Sequence, residues 1–213
     1  MWDFIGDRRE QIAYNTFQHA NLVVQAVVVA TLIALALAVV VVAVPRLEPV
    51  SNAVSAIGLT IPSFALVGLL LPLLGIGAMT AFWAVAFYAV FPVLRNAVVG
   101  LRGVDPGLLE SARGMGMNPV AVLLRVRLPL AWPVILAGVR VSMQMSMGVA
   151  AIAAYVLGPG LGGYIFTGIA QIGGANAVNY AVVGTVGVVI VALTVDLLLL
   201  LLGRLTTPKG IRA

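Results

Sequence analysis

The sequence has no cysteine, one histidine and one lysine, and charged residues fill only 9% of its 213 positions. Without cysteine there is no disulfide, no thiolate metal site and no thiol nucleophile. A single histidine, His19, cannot build a metal cluster; it precedes an apolar run and reads as an interfacial ring. The lone lysine, Lys209, is followed by glycine, so a phosphate-binding Gly-Lys-Ser/Thr is excluded. Any nucleotide hydrolysis belongs to a partner chain. No Ser/His pair or acid dyad stands out either, so no catalytic residue, metal site or cofactor is assigned. The start, MWDFIGDRRE, lacks the basic-then-apolar pattern of a removable signal peptide.

What fills the chain is oil. Hydrophobic residues make up 62% of it, and the mean hydropathy is +1.14. Continuous apolar runs near 20 residues call for a bilayer, where backbone groups must be satisfied within a helix or a closed barrel. The runs do not alternate, which selects helices. The net charge of +5 is spread over loops between spans, so it reads as membrane topology and not as nucleic-acid binding.

Five spans are expected, over about 22–44, 53–74, 78–101, 133–157 and 181–202. Together they form one membrane domain, 1–213. A segment at 1–21 precedes the first span, a polar loop covers 102–131, and a glycine-rich loop covers 158–180. The last of these is uncharged and suits a flexible loop with one short interfacial or re-entrant helix. Placing 102–131 in the cytoplasm collects Arg46, Arg102, Arg113, Arg125, Arg127, Arg204, Lys209 and Arg212 on that side. Arg95 and Arg140 lie near enough to snorkel there. Only Arg8 and Arg9 remain outside, so the N-terminus is expected outside and the C-terminus inside.

The polar stretch, ESARGMGMNPVAVLLRVRLPLAWP over 110–133, has internal punctuation. Asp105-Pro106 gives a helix start, an N-cap acid followed by a proline at the first helical position. Gly114 and Gly116 end or turn that helix. Asn118-Pro119 starts a second, and Pro129 is expected to stop it. Leu108, Leu109, Ala112 and Met115 give the first helix an apolar stripe opposite Glu110 and Arg113. On these grounds alone, two short helices lying on the membrane surface fit as well as a docking device.

The spacing Glu110-Ser111-Ala112, three residues, Gly116, nine residues, Val126-Arg127-Leu128-Pro129 resembles the EAA signature of ABC importer permeases. It departs from that signature at Ser111 and Val126. GLTIPSFALVGLLLPLLGIG (58–77), FPVLRNAVVGLRGVDPGLLESARGMGM (91–117) and LPLAWPVILAGVR (128–140) are similar to permeases for glycine betaine, carnitine, choline and related osmoprotectants. The likeness covers about 20–205. It implies an all-α polytopic protein of the type I ABC importer permease fold, with a cytoplasmic coupling-helix loop in a bacterial cytoplasmic membrane. Glu110, Ser111, Ala112, Gly116, Val126, Leu128 and Pro129 are then the ATPase-coupling residues, Gly116 allowing close approach of the helices. The implied partners are a second permease, the same or a related chain, two ATP-binding-cassette subunits that bind the ATP, an extracytoplasmic solute-binding protein and membrane lipid. An amino-acid or methionine permease and a non-transporting membrane scaffold are the alternatives.

Other residues carry two readings each. Gly158-Pro159-Gly160-Leu161-Gly162-Gly163 satisfies G-x-G-x-x-G but follows a span and opens no βαβ unit, so it is not read as nucleotide binding. Asp196 sits inside the fifth span and is a gating or structural candidate, most simply paired with Arg95 or Arg140. Pro62 and Pro92 can kink their spans and free carbonyls. Trp83, Phe87 and Tyr88 offer π-faces but suit packing and anchoring better. Ser142, Ser146, Gly148 and the alanines 150, 151, 153 and 154 let the fourth span pack closely, as against a second permease.

Overall fold

The computed structural model describes residues 1–207; Lys209 and Arg212 lie outside the described residues. Every regular element is helical. In chain order these are α1 (Trp2–Asp7), α2 (Arg9–Ala43), α3 (Glu48–Thr60), α4 (Ser63–Leu74), α5 (Ala78–Arg102), α6 (Pro106–Gly114), α7 (Pro119–Val122), α8 (Leu128–Ala153), α9 (Gly162–Ala170) and α10 (Ala177–Thr206). Four stretches are long and apolar enough to cross a bilayer, and the bent pair that includes α3 and α4 makes a fifth.

α5 is the axis of the bundle, packed against α2 and α8. Its seam with α8 is lined with small residues. A Cβ on Gly138 would lie 2.6 Å from Asn96 Cβ, and Ser142 Oγ donates to the Ala89 carbonyl at 2.8 Å. Ser142, Ser146, Ala150, Ala153 and Ala154 are therefore buried within this chain, while Gly148 is exposed. The small-residue face expected to meet a second permease instead serves the internal seam, because close backbone approach in a bilayer depends on small side chains.

Three spans differ from their expected form. α2 has 35 residues, about 52 Å of helix at 1.5 Å per residue, so it overshoots a hydrocarbon core of about 30 Å. The second span is not continuous: its two halves, Pro45–Thr60 and Ser63–Leu74, meet at 93°. Pro62 forces Ile61 to an extended conformation, ψ 125°, and the freed Ile61 carbonyl accepts a hydrogen bond from the Tyr88 hydroxyl. Pro129, in turn, does not stop a helix. Residues Leu123–Arg127 widen into a π turn closed by Leu128 N–H to the Leu123 carbonyl, which accommodates the donor that Pro129 lacks. The result is one helical stretch over Pro119–Val156.

Three further expectations also change. His19 is fully buried inside the protein and not exposed at its surface; Gly160, at φ +119°, lies against its ring. The glycine-rich loop is correspondingly packed, with Leu161 fully buried, and its short helix is α9. Arg140 does not snorkel. It crosses to α10 and makes a two-pronged ion pair with Asp196, at 2.8 and 2.9 Å. Arg95 is exposed, so of the two expected partners the structure selects Arg140.

Candidate functional site

The polar loop is a small folded object with its own core. Val104, Leu109, Ala112 and Val122 are buried together, with Met117, Val126 and Leu130 packed against them. Asp105 caps α6 by accepting the Gly107 N–H at 2.6 Å. Asn118 caps α7 by accepting the Ala121 N–H at 2.8 Å. Both caps follow the sequence signals, since each side-chain oxygen satisfies an otherwise orphaned amide.

Between the caps, Gly116 ends α6 in a Schellman arrangement. Its φ is +85°; Met117 N–H reaches the Ala112 carbonyl and Gly116 N–H the Arg113 carbonyl. Met117 then packs over the buried cluster that contains Ala112. The reason for glycine here is conformational. No atom of this chain lies within 4 Å of a Cβ added at Gly116, so close approach of the loop helices, the expected reason, is not what demands it.

The expected apolar stripe of α6 divides. Leu109 and Ala112 face the loop core, whereas Leu108 and Met115 are 51% and 72% exposed. Glu110 and Ser111 are exposed beside them. Of the seven residues singled out for coupling, Ala112 is buried, Val126 and Leu128 are half-buried, and Glu110, Ser111, Gly116 and Pro129 are exposed. The loop is tied to the spans on two sides. Arg102 pairs with Glu48 at the start of α3, and Trp132 Nε1 donates to Thr206 Oγ1 at 2.7 Å. A groove of about 260 Å³ separates it from the ends of α2 and α5, lined in part by Val39, Leu101, Arg113 and Arg127.

Away from the polar loop the second span bends at Pro62, which is exposed, beside the middle of α5, where Tyr88 reaches the Ile61 carbonyl. Phe64, two residues on, meets Tyr155, and Tyr155 meets Phe166. These three were not singled out from the sequence: they lie on separate elements up to 102 positions apart and share no motif. The aromatics that were singled out pack as expected. Phe87 and Tyr88 meet edge-to-face at 5.5 Å, and Tyr88 is buried. Trp83 is partly open toward an apolar groove with Leu70 and Val90. Among the described residues no group of three or more acids or histidines could hold a metal ion.

Residues 28–208 match the family described as "Binding-protein-dependent transport system inner membrane component". The chain is 37% identical over 209 residues to the choline transport system permease OpuBB of Bacillus subtilis, covering 98% of this chain and 94% of that one. It is 36% identical to the glycine betaine/carnitine/choline permease OpuCB of the same organism, with 100% and 96% covered. Against the osmoprotectant import permease OsmW of Salmonella typhimurium the identity is 39%, with 97% and 96% covered. Solved structures agree on the fold. The inward-facing MetNI methionine ABC transporter superposes with a TM-score of 0.77 at 20% identity, over 92% of this chain and 96% of that one. An amino acid ABC transporter gives 0.75 at 19%, over 96% and 98%. The chain belongs to the inner-membrane permeases of binding-protein-dependent transport systems, and it has the helical fold of ABC importer permeases.

Proposed function

We propose that this chain is the permease subunit of an ATP-driven importer for quaternary ammonium compatible solutes such as choline, glycine betaine and carnitine. The observation that supports this cargo class is full-length similarity to three permeases whose names state such solutes or osmoprotectants. The N-terminus lies outside and the polar loop in the cytoplasm, an orientation that the distribution of arginines supports. Two permeases, identical or related, enclose the path. Two ATPase subunits bind the ATP, and an outer binding protein delivers the solute.

The exposed face of α6 is the contact for the ATPase. Leu108 and Met115 offer apolar knobs and Glu110 a charge for a basic partner group, all held by the buried cluster beneath. Because α7 runs through the π turn into α8 without a break, tilting the loop tilts the fourth span. A loose hinge at Pro129 would have absorbed that motion. ATP-driven approach of the partner subunits is thereby converted into alternating access between the two permeases.

The test is uptake of labelled glycine betaine by salt-stressed cells carrying wild-type protein or Gly116→Asp at matched membrane levels. The variant should insert, lose uptake and fail to copurify the ATPase. A variant that retains the ATPase overturns the coupling assignment. Wild-type protein that binds the ATPase yet takes up no betaine overturns the cargo.

A further inference from the structure

We propose that Phe64, Tyr155 and Phe166 form a cation–π site that holds the quaternary ammonium group of the solute within the permease. This rests on the cargo class given above. A permanent cation entering this chain finds no free carboxylate in the spans. Of its seven acids, Asp3, Asp7 and Glu10 lie in the first ten residues, and Glu48, Asp105 and Glu110 lie at the coupling end. Only Asp196 is within a span, and Arg140 already occupies both of its oxygens. Aromatic faces are the negatively polarised surface that remains. A quaternary ammonium has no N–H to donate, so faces suit it better than hydrogen-bond acceptors do.

The aromatic contacts of this protein differ in geometry and exposure; Phe4, Tyr164 and Tyr180 form a separate cluster in which Tyr164 is buried and the Arg8 guanidinium already lies over the Phe4 and Tyr180 rings. Phe82–Trp83, Phe87–Tyr88 and Phe87–Phe91 meet edge-to-face with planes at 86–89°, the arrangement of packed rings. Phe64–Tyr155 and Tyr155–Phe166 are instead tilted at 54° and 60°, with centroids 4.7 and 5.5 Å apart. Phe64 is 51% and Tyr155 60% exposed, so their faces are open. The three rings come from α4, from the 3-10 turn Ala154–Val156 and from α9. All three elements meet at the end opposite the coupling loop, where Gly77 N–H bonds the Val156 carbonyl. Phe64 follows the 93° break, so a change in that bend moves one ring relative to the other two and opens or closes the site.

The experiment uses the complete permease–ATPase complex in lipid nanodiscs without binding protein. Tetramethylammonium is the probe, followed by saturation transfer to its methyl protons, and 3,3-dimethylbutan-1-ol is the uncharged control. Wild-type protein should bind the cation and not the alcohol. Phe64→Ala and Tyr155→Ala should each weaken binding about fivefold, while Tyr155→Phe, which keeps the ring, should bind as wild type does. Equal signals from the alcohol would mark an apolar contact for lipid or a second subunit, and would overturn the proposal. So would cation binding that ignores both alanine variants. Labelled betaine uptake is measured in parallel in salt-stressed cells that carry the wild-type complex and its binding protein. Uptake with unchanged cation binding in the variants sinks the aromatic site alone, whereas no uptake by an assembled complex sinks the cargo class and the site with it.

Discussion

α5 and α10 are both long single helices, yet they meet the rest of the chain in opposite ways. In α5, 72% of the spanning window is buried inside the protein; in α10 the figure is 6%. The buried helix is also the less hydropathic of the two. It carries Thr80, Tyr88, Pro92 and Asn96, and the polar groups find partners within the bundle: Thr80 Oγ1 donates to the Gly75 carbonyl at 2.5 Å, and Asn96 Nδ2 to the Pro92 carbonyl at 2.9 Å. α10 presents Val186, Val189, Ile190, Leu193 and Leu197 outward and spends its single acid on Arg140. In a bilayer, apolarity marks what faces lipid or another subunit, and polarity with partners marks what faces protein. A soluble domain would show the reverse.

That contrast can be broken at its strongest point first. Asp196→Ala removes the partly buried pairing of Arg140 and should cost about 2–3 kcal/mol, read as a lower thermal transition of the detergent-purified protein. Replacing both residues with leucine should recover most of the loss, since the pair holds α10 to α8 but packed apolar groups can do so as well. Next comes the core. Gly58→Val places side-chain atoms where Phe91 sits, 2.2 Å from an added Cβ, and should cost about 1–3 kcal/mol by overpacking. Tyr88→Phe removes only the hydroxyl that caps Ile61, so about 1 kcal/mol is expected. A spin-label pair across the 93° break should also show a broader distance distribution. The smallest effect is predicted on α10, where Leu193→Ala should stay within about 0.5 kcal/mol in isolated protein. A much larger loss in the assembled complex would show that a second subunit covers that face.

Much of the polar loop over 102–131 was legible in the sequence because its determinants are local. Asp105, Asn118 and Gly116 act on backbone groups within a few residues, so the two caps and the glycine turn follow from chemistry that short spacing reveals. The fate of Pro129 was not legible. Whether a proline ends a helix or is absorbed by a widened turn depends on what holds the flanking segments, here the cluster beneath Val126 and Leu130. His19 shows the same limit: its burial under Gly160 joins positions 141 residues apart. The bend at Pro62 was half legible, as a kink, while its hydrogen-bonding partner Tyr88 lies on another helix.

The sequence by itself determined that the chain is a helical membrane protein, about where its spans run, and where its loop helices start. Hydropathy and capping are properties of contiguous residues, and the bilayer imposes them on any chain. Only the tertiary structure decided which face each span turns inward, which arginine meets Asp196, and which aromatic rings keep an open face. Those outcomes depend on shape complementarity between distant segments, and within lipid no hydrophobic gradient exists to announce them in advance.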